Sequence, residues 1–292
     1  MLSGNPKFES QAEEMSVTAP LPNEIFTGNR AVGQIVLAVD AAHGASRRRR
    51  VHEASSLRVR FPNADRPDTL EAVIVNTAGG MTGGDRFGID VAIGAGAGLT
   101  VTTAAAEKIY RSLGPESEIA VKLDVARDAR LAWLPQETIL FDQAHLRRSI
   151  DVTLAPGAQL LLAEALVFGR AAMGEAVQSG KLTDRWRVKV GGRLVFAETV
   201  RLDGTVAQYL ARRAVAASGG AVASILKIPG DEADVAAVRA LIDRFGGEVA
   251  ASAWNGQAVV RLVAQNGAAL RQDLIAVLTA MNSLPLPRLW LN

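Results

Sequence analysis

Three segments of the chain repeat one pattern, and this repeat is the strongest constraint on the fold. Each has a strand of alternating apolar residues, a short turn and Ala-x-Leu at the start of a second strand, over Ile89–Leu99, Val121–Leu131 and Ile150–Leu160. Strand pairs that recur about every 30 residues predict stacked rungs, which bury their apolar faces against each other. The sequence therefore predicts a mainly β protein, wound as a layered β-helix or solenoid of stacked strand pairs. A β-sandwich is the alternative, because paired strands between turns also suit that fold.

Other segments extend this pattern towards both ends of the chain. Arg185–Leu202 reads as a fourth, looser copy of the repeat, with Gly191 and Gly192 in a tighter turn. Gly33–Ala42 and Ser55–Phe61 alternate or run apolar, which predicts two further strands. The four arginines between these two strands, Arg47–Arg50, predict either a solvated loop or strand edge or a contact surface for an acidic partner.

Two α-helices are predicted towards the C-terminus. Asp231–Phe245 and Ala268–Met281 both place apolar residues on one face at helical spacing, and Gln257–Ala264 between them reads as a strand. A helix–strand–helix insert of this kind would cover an exposed sheet edge. The domain organisation predicted is a flexible N-terminal tail over 1–23 and a single domain over 24–292. Within that domain the β region ends at about residue 228, and the insert with the C-terminal segment occupies 229–292.

The composition excludes several kinds of chemistry. The 292 residues include no cysteine, so the chain has no disulfides, thiolate ligands or cysteine nucleophiles. A hydrophobic content of 49% with 21% charged residues is typical of a soluble globular chain with a sizeable core. Charges interrupt every apolar run and no secretory pattern is present, so we expect a cytoplasmic protein that does not contact membranes. The net charge of +2 is too small to predict nucleic-acid binding.

A glycine-rich turn, Asn76–Arg86, separates two β-rich runs. A phosphate-binding loop would need a lysine and a serine or threonine after its last glycine, but this chain has Asp85 there. The run that follows, Phe87–Ile93, also alternates like a strand instead of opening a helix. We therefore do not predict nucleotide binding at this turn.

The same turn begins a series of motifs that resembles the UreD (UreH) family of urease accessory proteins. The series continues through four more segments in the family's order: Val101–Ser112, Leu131–Ala144, Leu166–Leu182 and Pro287–Trp290. Together they cover roughly residues 30 to 290. The motif positions matched in this sequence are Gly79, Gly80, Gly83, Gly84, Arg86, Lys108, Arg111, Pro135, Gln136, Gly169, Arg170 and Gly174.

The resemblance implies a function in the maturation of the nickel enzyme urease. Members of the family are not enzymes; they bind apo-urease and the accessory protein UreF, which in turn brings the GTPase UreG. Nickel is expected to pass through such a protein towards the urease active site, so the resemblance implies transient nickel and no tightly bound cofactor. It also implies a mostly β fold with two helices.

Carboxylates beside glycines and turns are the candidate site residues. We predict that Asp85, Asp142 and Glu175 line or support a weak nickel path, with Glu164 a weaker candidate. Imidazole and thiolate hold nickel tightly, but this chain has three scattered histidines and no cysteine, so carboxylates would allow release. The alternative is a structural ion-pair network, with Lys108, Arg111, Arg147 and Arg170 as partners. Two other functions stay open, a carbohydrate-active hydrolase with paired carboxylates and an unrelated binding module.

Overall fold

The chain winds back and forth between two β-sheets, so that the two strands of each repeat lie in different sheets. The structure is a computed structural model that describes residues 30–63, 66–112, 114–170, 173–282 and 285–291. Within these residues sheet A has seven strands and sheet B has ten. The predicted tail over 1–23 lies outside the described residues, and from Ala31 onward the chain is one compact unit.

The strands are numbered in chain order, which differs from their spatial order in the two sheets. From one edge to the other, sheet A contains β14 (Arg193–Gly204), β13 (Gly180–Val190), β11 (His145–Leu154), β8 (Ser117–Val125), β5 (Arg86–Ile93), β1 (Val32–Ala42) and β2 (Ala45–Ala54). Sheet B contains β16 (Glu248–Trp254), β17 (Gln257–Ala264), β15 (Ala221–Ile228), β12 (Gln159–Phe168), β9 (Arg130–Trp133), β6 (Gly98–Thr103), β4 (Thr69–Asn76) and β3 (Leu57–Arg60). Two short strands extend sheet B beside β12, namely β10 (Thr138–Leu140) and β7 (Glu107–Ile109).

The three copies of the repeat are three rungs that stack in register. The first strands of the copies, β5, β8 and β11, pair in parallel, so Ile89, Val121 and Ile150 occupy equivalent positions in sheet A. The second strands, β6, β9 and β12, pair in parallel in sheet B. The alternating apolar side chains of both sheets meet between them in one buried core. The predicted solenoid-like stacking of strand pairs is confirmed.

The segment Arg185–Leu202 does not form a fourth rung, so this detail of the prediction was wrong. Gly191 and Gly192 both have positive φ, at 56° and 83°. Two consecutive residues with positive φ favour a tight hairpin turn. The chain therefore returns along the same sheet, and β13 and β14 pair antiparallel in sheet A. The winding between the sheets stops at this hairpin.

Three α-helices occur in the described residues: α1 (Val206–Leu210), α2 (Glu232–Arg239) and α3 (Gly267–Met281). The predicted helix over Asp231–Phe245 is shorter, because a separate 3-10 turn occupies Ile242–Arg244. The two helices predicted towards the C-terminus are present as α2 and α3. Two strands lie between them: β17 has the predicted bounds, and β16 was not predicted. Their apolar faces pack on the outer face of sheet B in a second core. No helix in the described residues is long and apolar enough to cross a membrane.

The end of the described chain packs into this second core. Trp290 is 0% exposed, and its Nε1 donates a hydrogen bond to the carbonyl oxygen of Leu134 at 3.1 Å. The guanidinium of Arg271 donates to the carbonyl oxygens of Leu289 and Trp290, at 2.9 and 3.2 Å, and to Gln136 Oε1 at 2.5 Å. It also lies 5.1 Å from the centre of the Trp290 ring. We call this group (Gln136, Arg271 and Trp290) the C-terminal clasp.

Candidate functional site

Four of the five family-like motifs reach one end of the solenoid. Every chain connection that leads from sheet B to the next strand of sheet A lies there, and backbone hydrogen bonds stack these turns on one another. Gly84 N donates to Glu116 O, Ser112 N to Gln143 O, and Gln143 N to Ser179 O. We call these stacked turns the motif corner. It contains three of the four predicted site carboxylates, Asp85, Asp142 and Glu175.

Glycines in the first turn of the motif corner permit close packing. Gly80 has a φ of 153°, and a Cβ there would lie 2.5 Å from the Tyr110 ring and 2.9 Å from the Lys108 carbonyl oxygen. A Cβ on Gly83 would collide with Ser112. Gly79 and Gly84 also have positive φ, at 77° and 93°. These turns therefore require glycine for backbone reasons.

Asp85 ties this turn to the first strand. It is 5% exposed, and Oδ1 accepts a hydrogen bond from Ala31 N at 2.9 Å while Oδ2 accepts one from Thr82 N at 2.8 Å. A buried carboxylate needs such partners, because an unpaired buried charge is very costly. The observed contacts of Asp85 are thus structural, and its place in a nickel path stays a prediction.

Asp142 and Glu175 are held by separate partners. Asp142 Oδ1 accepts hydrogen bonds from the backbone of Gln178 and Ser179, at 2.8 and 3.0 Å. Glu175 pairs with Arg170 Nε at 2.6 Å, and the same guanidinium lies 4.2 Å from the centre of the Phe141 ring. The motif corner thus brings the three carboxylates to one end of the fold without making them one cluster.

The other motif residues lie in the motif corner, beside it, or next to the C-terminal clasp. Lys108 and Arg111 are exposed, and Arg86 pairs with the half-exposed Glu118 at 3.6 Å. Gly169 and Gly174 have positive φ, at 86° and 68°, in the last turn of the corner. The half-buried Pro135 precedes Gln136, which is part of the C-terminal clasp.

Glu164 lies apart from this corner, in a buried ion cluster between the sheets. Arg148 donates to Asp184 through Nε and Nη2, at 3.0 and 2.5 Å, and to Glu164 through Nη1. Trp133 Nε1 donates to the other oxygen of Glu164 at 2.9 Å, and Arg148 also reaches Thr138 Oγ1 at 3.2 Å. The three charged side chains are 3–5% exposed. We call Arg148, Glu164 and Asp184 the buried triad.

Two members of the triad were not predicted from the sequence. Arg147 was one of four cations expected to pair with the carboxylates, but it points outward and pairs with Glu116. Arg148 has the same strand phase as the buried Leu146 and Ile150, and Asp184 lies between Leu182 and Trp186. Strict alternation along each strand would have assigned both residues to the interior.

The polar groups between the sheets extend beyond the triad on both sides. On one side Glu198 lies opposite the triad and binds Arg261 through two hydrogen bonds, at 2.6 and 2.9 Å. On the other side Glu107 is the parallel neighbour of Thr138 and accepts a hydrogen bond from Asn76 at 2.9 Å. We call this set (Glu107, Thr138, the buried triad, Glu198 and Arg261) the interior polar layer. The triad and Thr138 are buried, whereas Glu107 is half-buried and Arg261 is exposed, so the layer reaches from the core towards the surface on both sides.

Burial changes the protonation of two carboxyls in this layer. Burial raises the pKa of Glu107 to about 7. The hydrogen bond from Asn76 lowers this pKa, but its effect is smaller than that of burial. Burial also raises the pKa of Glu164 to about 7, although Arg148 attracts the ionised form. One arginine faces two carboxylates in the triad, so full ionisation would leave a buried negative charge. Both glutamates can therefore exchange protons near neutral pH.

The layer is narrow, and it contains no preformed metal cluster among the described residues. The cavity beside the triad has a volume of about 30 Å³, which admits a water molecule but not a sugar ring. In the same part of the chain, no three His, Cys, Asp or Glu side chains converge as a metal site.

A two-sheet arrangement of stacked strand pairs, with ionisable groups between its sheets and glycine-rich turns at one corner, places this chain in the class of β-solenoid-like proteins. The family model of the UreD urease accessory protein matches residues 31–291. The chain belongs to this family.

Similar proteins agree with this assignment. A urease accessory protein UreD of Rhodopseudomonas palustris (strain HaA2) is 55% identical over 275 residues, which is 94% of this chain and 98% of the relative. UreD of Bradyrhizobium diazoefficiens is 52% identical over 279 residues, 96% of this chain and 99% of the relative. UreD 3 of Bradyrhizobium sp. (strain BTAi1 / ATCC BAA-1182) is 51% identical over 269 residues, which is 92% of this chain and 96% of the relative.

The raised pKa of Glu107 predicts a pH-dependent stability. The folded chain holds this proton more tightly than the unfolded chain, whose carboxyl has an ordinary pKa of 4.5. The resulting stabilisation is fully present below pH 4.5 and is lost as the pH rises through about 7. Glu107→Gln, which imitates the protonated form, should exceed the wild type in free energy of unfolding by less than about 1 kcal/mol at pH 5 and by about 3 kcal/mol at pH 8.

Urea unfolding of both proteins at pH 5 and pH 8 measures this difference. Glu118→Gln is the matched control, because Glu118 is a half-exposed carboxylate on the outer face of sheet A. We expect the control to change the free energy of unfolding equally at both pH values. An equal effect of Glu107→Gln at both pH values would contradict the prediction.

Proposed function

We propose that this chain is a non-catalytic maturation factor for urease. It binds apo-urease and a UreF-like accessory protein, and a UreG-like GTPase joins the assembly through UreF. The observation that carries the proposal is the UreD family match, which extends over both sheets and the helical layer. The names of the relatives, urease accessory protein UreD, support the same function.

Nickel passes through this scaffold as cargo in the proposed function. The ion enters or leaves at the motif corner, near Asp85, Asp142 and Glu175, and travels between the sheets along the interior polar layer that includes Glu164. Carboxylates, carbonyls and water bind nickel more weakly than imidazole or thiolate. This chain has three histidines and no cysteine, so its interior supports transfer better than storage.

The buried triad supports this path because stability alone does not explain it. Well-packed apolar residues can replace a buried ion pair with little or no loss of stability. Here three charged side chains occupy positions in strands whose neighbouring inward positions are leucine, isoleucine or tryptophan. Their position between the sheets, in line with Glu107 and Glu198, suits a route for a cation.

Reconstitution of urease tests both parts of the proposal. The chain is co-expressed with apo-urease and its UreF-like and UreG-like partners, purified, and supplied with nickel. We expect co-purification with urease and the UreF-like protein, and no activation when the chain is omitted. Failure to associate, with normal activation in its absence, would contradict the scaffold.

Isosteric variants then test the nickel path separately from the scaffold. A chain with Asp85→Asn, Asp142→Asn, Glu164→Gln and Glu175→Gln should still co-purify but deliver roughly tenfold less nickel to urease, by analogy with the loss of outer-shell metal contacts. Asp151→Asn is the matched control, because Asp151 is a half-exposed carboxylate on the outer face of sheet A. Full nickel content and activity in the fourfold variant would overturn the path and leave the scaffold intact.

A further inference from the structure

The outermost strand of sheet A is unusually exposed and basic. Strand β2 ends the spatial order of that sheet, and its six residues from Arg47 to His52 are all exposed. No strand pairs with its far side in the part of the chain that the structure describes. Ser46, at its start, donates a backbone hydrogen bond to Pro67 O at 2.8 Å. Beyond Ser46, the far side of β2 has no strand partner among the described residues, so its backbone groups are open to a further strand.

The positive charge of the whole chain is concentrated at this edge. Strands β2 and β3 contain six arginines, Arg47–Arg50, Arg58 and Arg60, and one carboxylate, Glu53. Asp40 of the adjacent strand adds a second carboxylate, through its pair with Arg49 at 3.3 Å. Six arginines and two carboxylates have a net charge of +4, whereas the entire chain has +2. We call strands β2 and β3 the arginine edge.

Contacts within the arginine edge leave some of its arginines without an ion-pair partner among the described residues. Arg58 and Arg60 share one partner, Glu53, at 4.0 and 3.2 Å. The guanidinium of Arg48 lies over the Phe61 ring, 4.8 Å from its centre. Arg47 and Arg50 form no ion pair with any described residue. The edge therefore offers available guanidinium groups beside available backbone groups.

We propose that the arginine edge is a docking strand for an acidic, extended segment of a partner protein. Such a segment would add to sheet A beside β2 through main-chain hydrogen bonds, and its carboxylates would pair with the arginines. The backbone ladder supplies affinity and the charges select the partner. This binding is independent of urease maturation, so it can be tested without urease.

The same features argue against two other occupants. A second copy of this edge would bring arginines against arginines, and charged edge strands are a known protection against pairing of identical chains. A nucleic acid would use the guanidinium groups but has no peptide backbone to satisfy the strand edge. Single-stranded nucleic acids also favour aromatic stacking platforms. The aromatic ring in contact with these arginines, Phe61, is already covered by Arg48.

Binding of synthetic peptides to the full chain tests the proposal. The probe is a fluorescent decapeptide of alternating Glu and Val, and two further peptides replace each Glu by Gln or each Val by Pro. A single-stranded RNA of equal charge is the fourth probe. We expect the Glu–Val peptide to bind most tightly and to weaken as salt rises. The Gln peptide lacks charge and the Pro peptide lacks every second backbone N–H donor, so each should bind at least about tenfold more weakly.

Charge reversal locates the site. Arg47→Glu with Arg50→Glu should reduce binding of the Glu–Val peptide by at least about tenfold. Arg187→Glu with Lys189→Glu is the matched control, because it removes the same charge from exposed positions of β13 in the same sheet. Equal binding of the Glu–Val and Pro peptides, tighter binding of the RNA, or equal loss in both double variants would overturn the proposal.

Discussion

Replacement of Arg148 by methionine is expected to lower the free energy of unfolding by about 3–5 kcal/mol. Arg148 is the cation that faces both Glu164 and Asp184, and both carboxylates are 5% exposed at the side chain. Methionine fills a similar volume but leaves two carboxylates without their charged partner in the core. Urea unfolding at pH 8, followed by tryptophan fluorescence, measures the loss. Trp133 and Trp186 both lie beside the triad and report on it.

The adjacent arginine provides the control for this experiment. Arg147→Met removes the same charge from a side chain that is 60% exposed, and its partner Glu116 keeps a second cation, Lys181, at 2.8 Å. Exposed ion pairs contribute about 0–1 kcal/mol, so the control should change little. A third variant, Arg148→Met with Glu164→Leu and Asp184→Leu, should recover much of the lost stability. A loss below about 1 kcal/mol in Arg148→Met would contradict the prediction.

Trp290→Ala is expected to destabilise the fold by a similar amount, about 3–5 kcal/mol. The ring is 0% exposed, so its removal leaves a cavity in the second core between sheet B and α3. The variant also loses the hydrogen bond to Leu134 O and the cation–π contact with Arg271. Thermal unfolding followed by circular dichroism measures the effect.

The neighbouring Leu291 distinguishes the clasp from the general effect of a shortened side chain. Leu291 is 65% exposed, so Leu291→Ala should leave the midpoint temperature nearly unchanged. Trp290→Phe should fall between the wild type and Trp290→Ala, because it retains an apolar ring but not the indole donor. Equal midpoints for Trp290→Ala and Leu291→Ala would rule out the clasp as a source of stability.

The sequence predicted the rungs because their apolar residues recur in phase. Ile89, Val121 and Ile150 occupy one register position of sheet A, as the repeat requires. Periodicity did not reveal where the repeat stops. Arg185–Leu202 has the same alternation as a rung, but the conformation of Gly191 and Gly192 sends the strand back along its own sheet. The backbone geometry of one turn, and not the apolar pattern, decides between a rung and a hairpin.

The candidate site was only partly accessible from the sequence. Their position beside glycines or turns makes Asp85, Asp142 and Glu175 candidates in the sequence. In the structure, the stacked turns bring all three to the motif corner. The buried triad depends on contacts between strands that are 16 and 36 residues apart, so no local spacing indicates it. Strand phase identifies Arg148 and Asp184 as inward-facing, but only the paired sheets reveal that Arg148 joins Asp184 to Glu164.

The C-terminal clasp also affects the order in which a newly made chain can fold. Trp290 reaches Leu134 across a separation of 156 residues. At about 5–20 residues per second, a ribosome needs on the order of ten seconds to add that stretch. During this interval Leu134 and Leu161, on the outer face of sheet B, lack the helices and the tryptophan that cover them. The nascent chain thus exposes apolar residues of this face while sheet B itself is still incomplete, before their cover is synthesised.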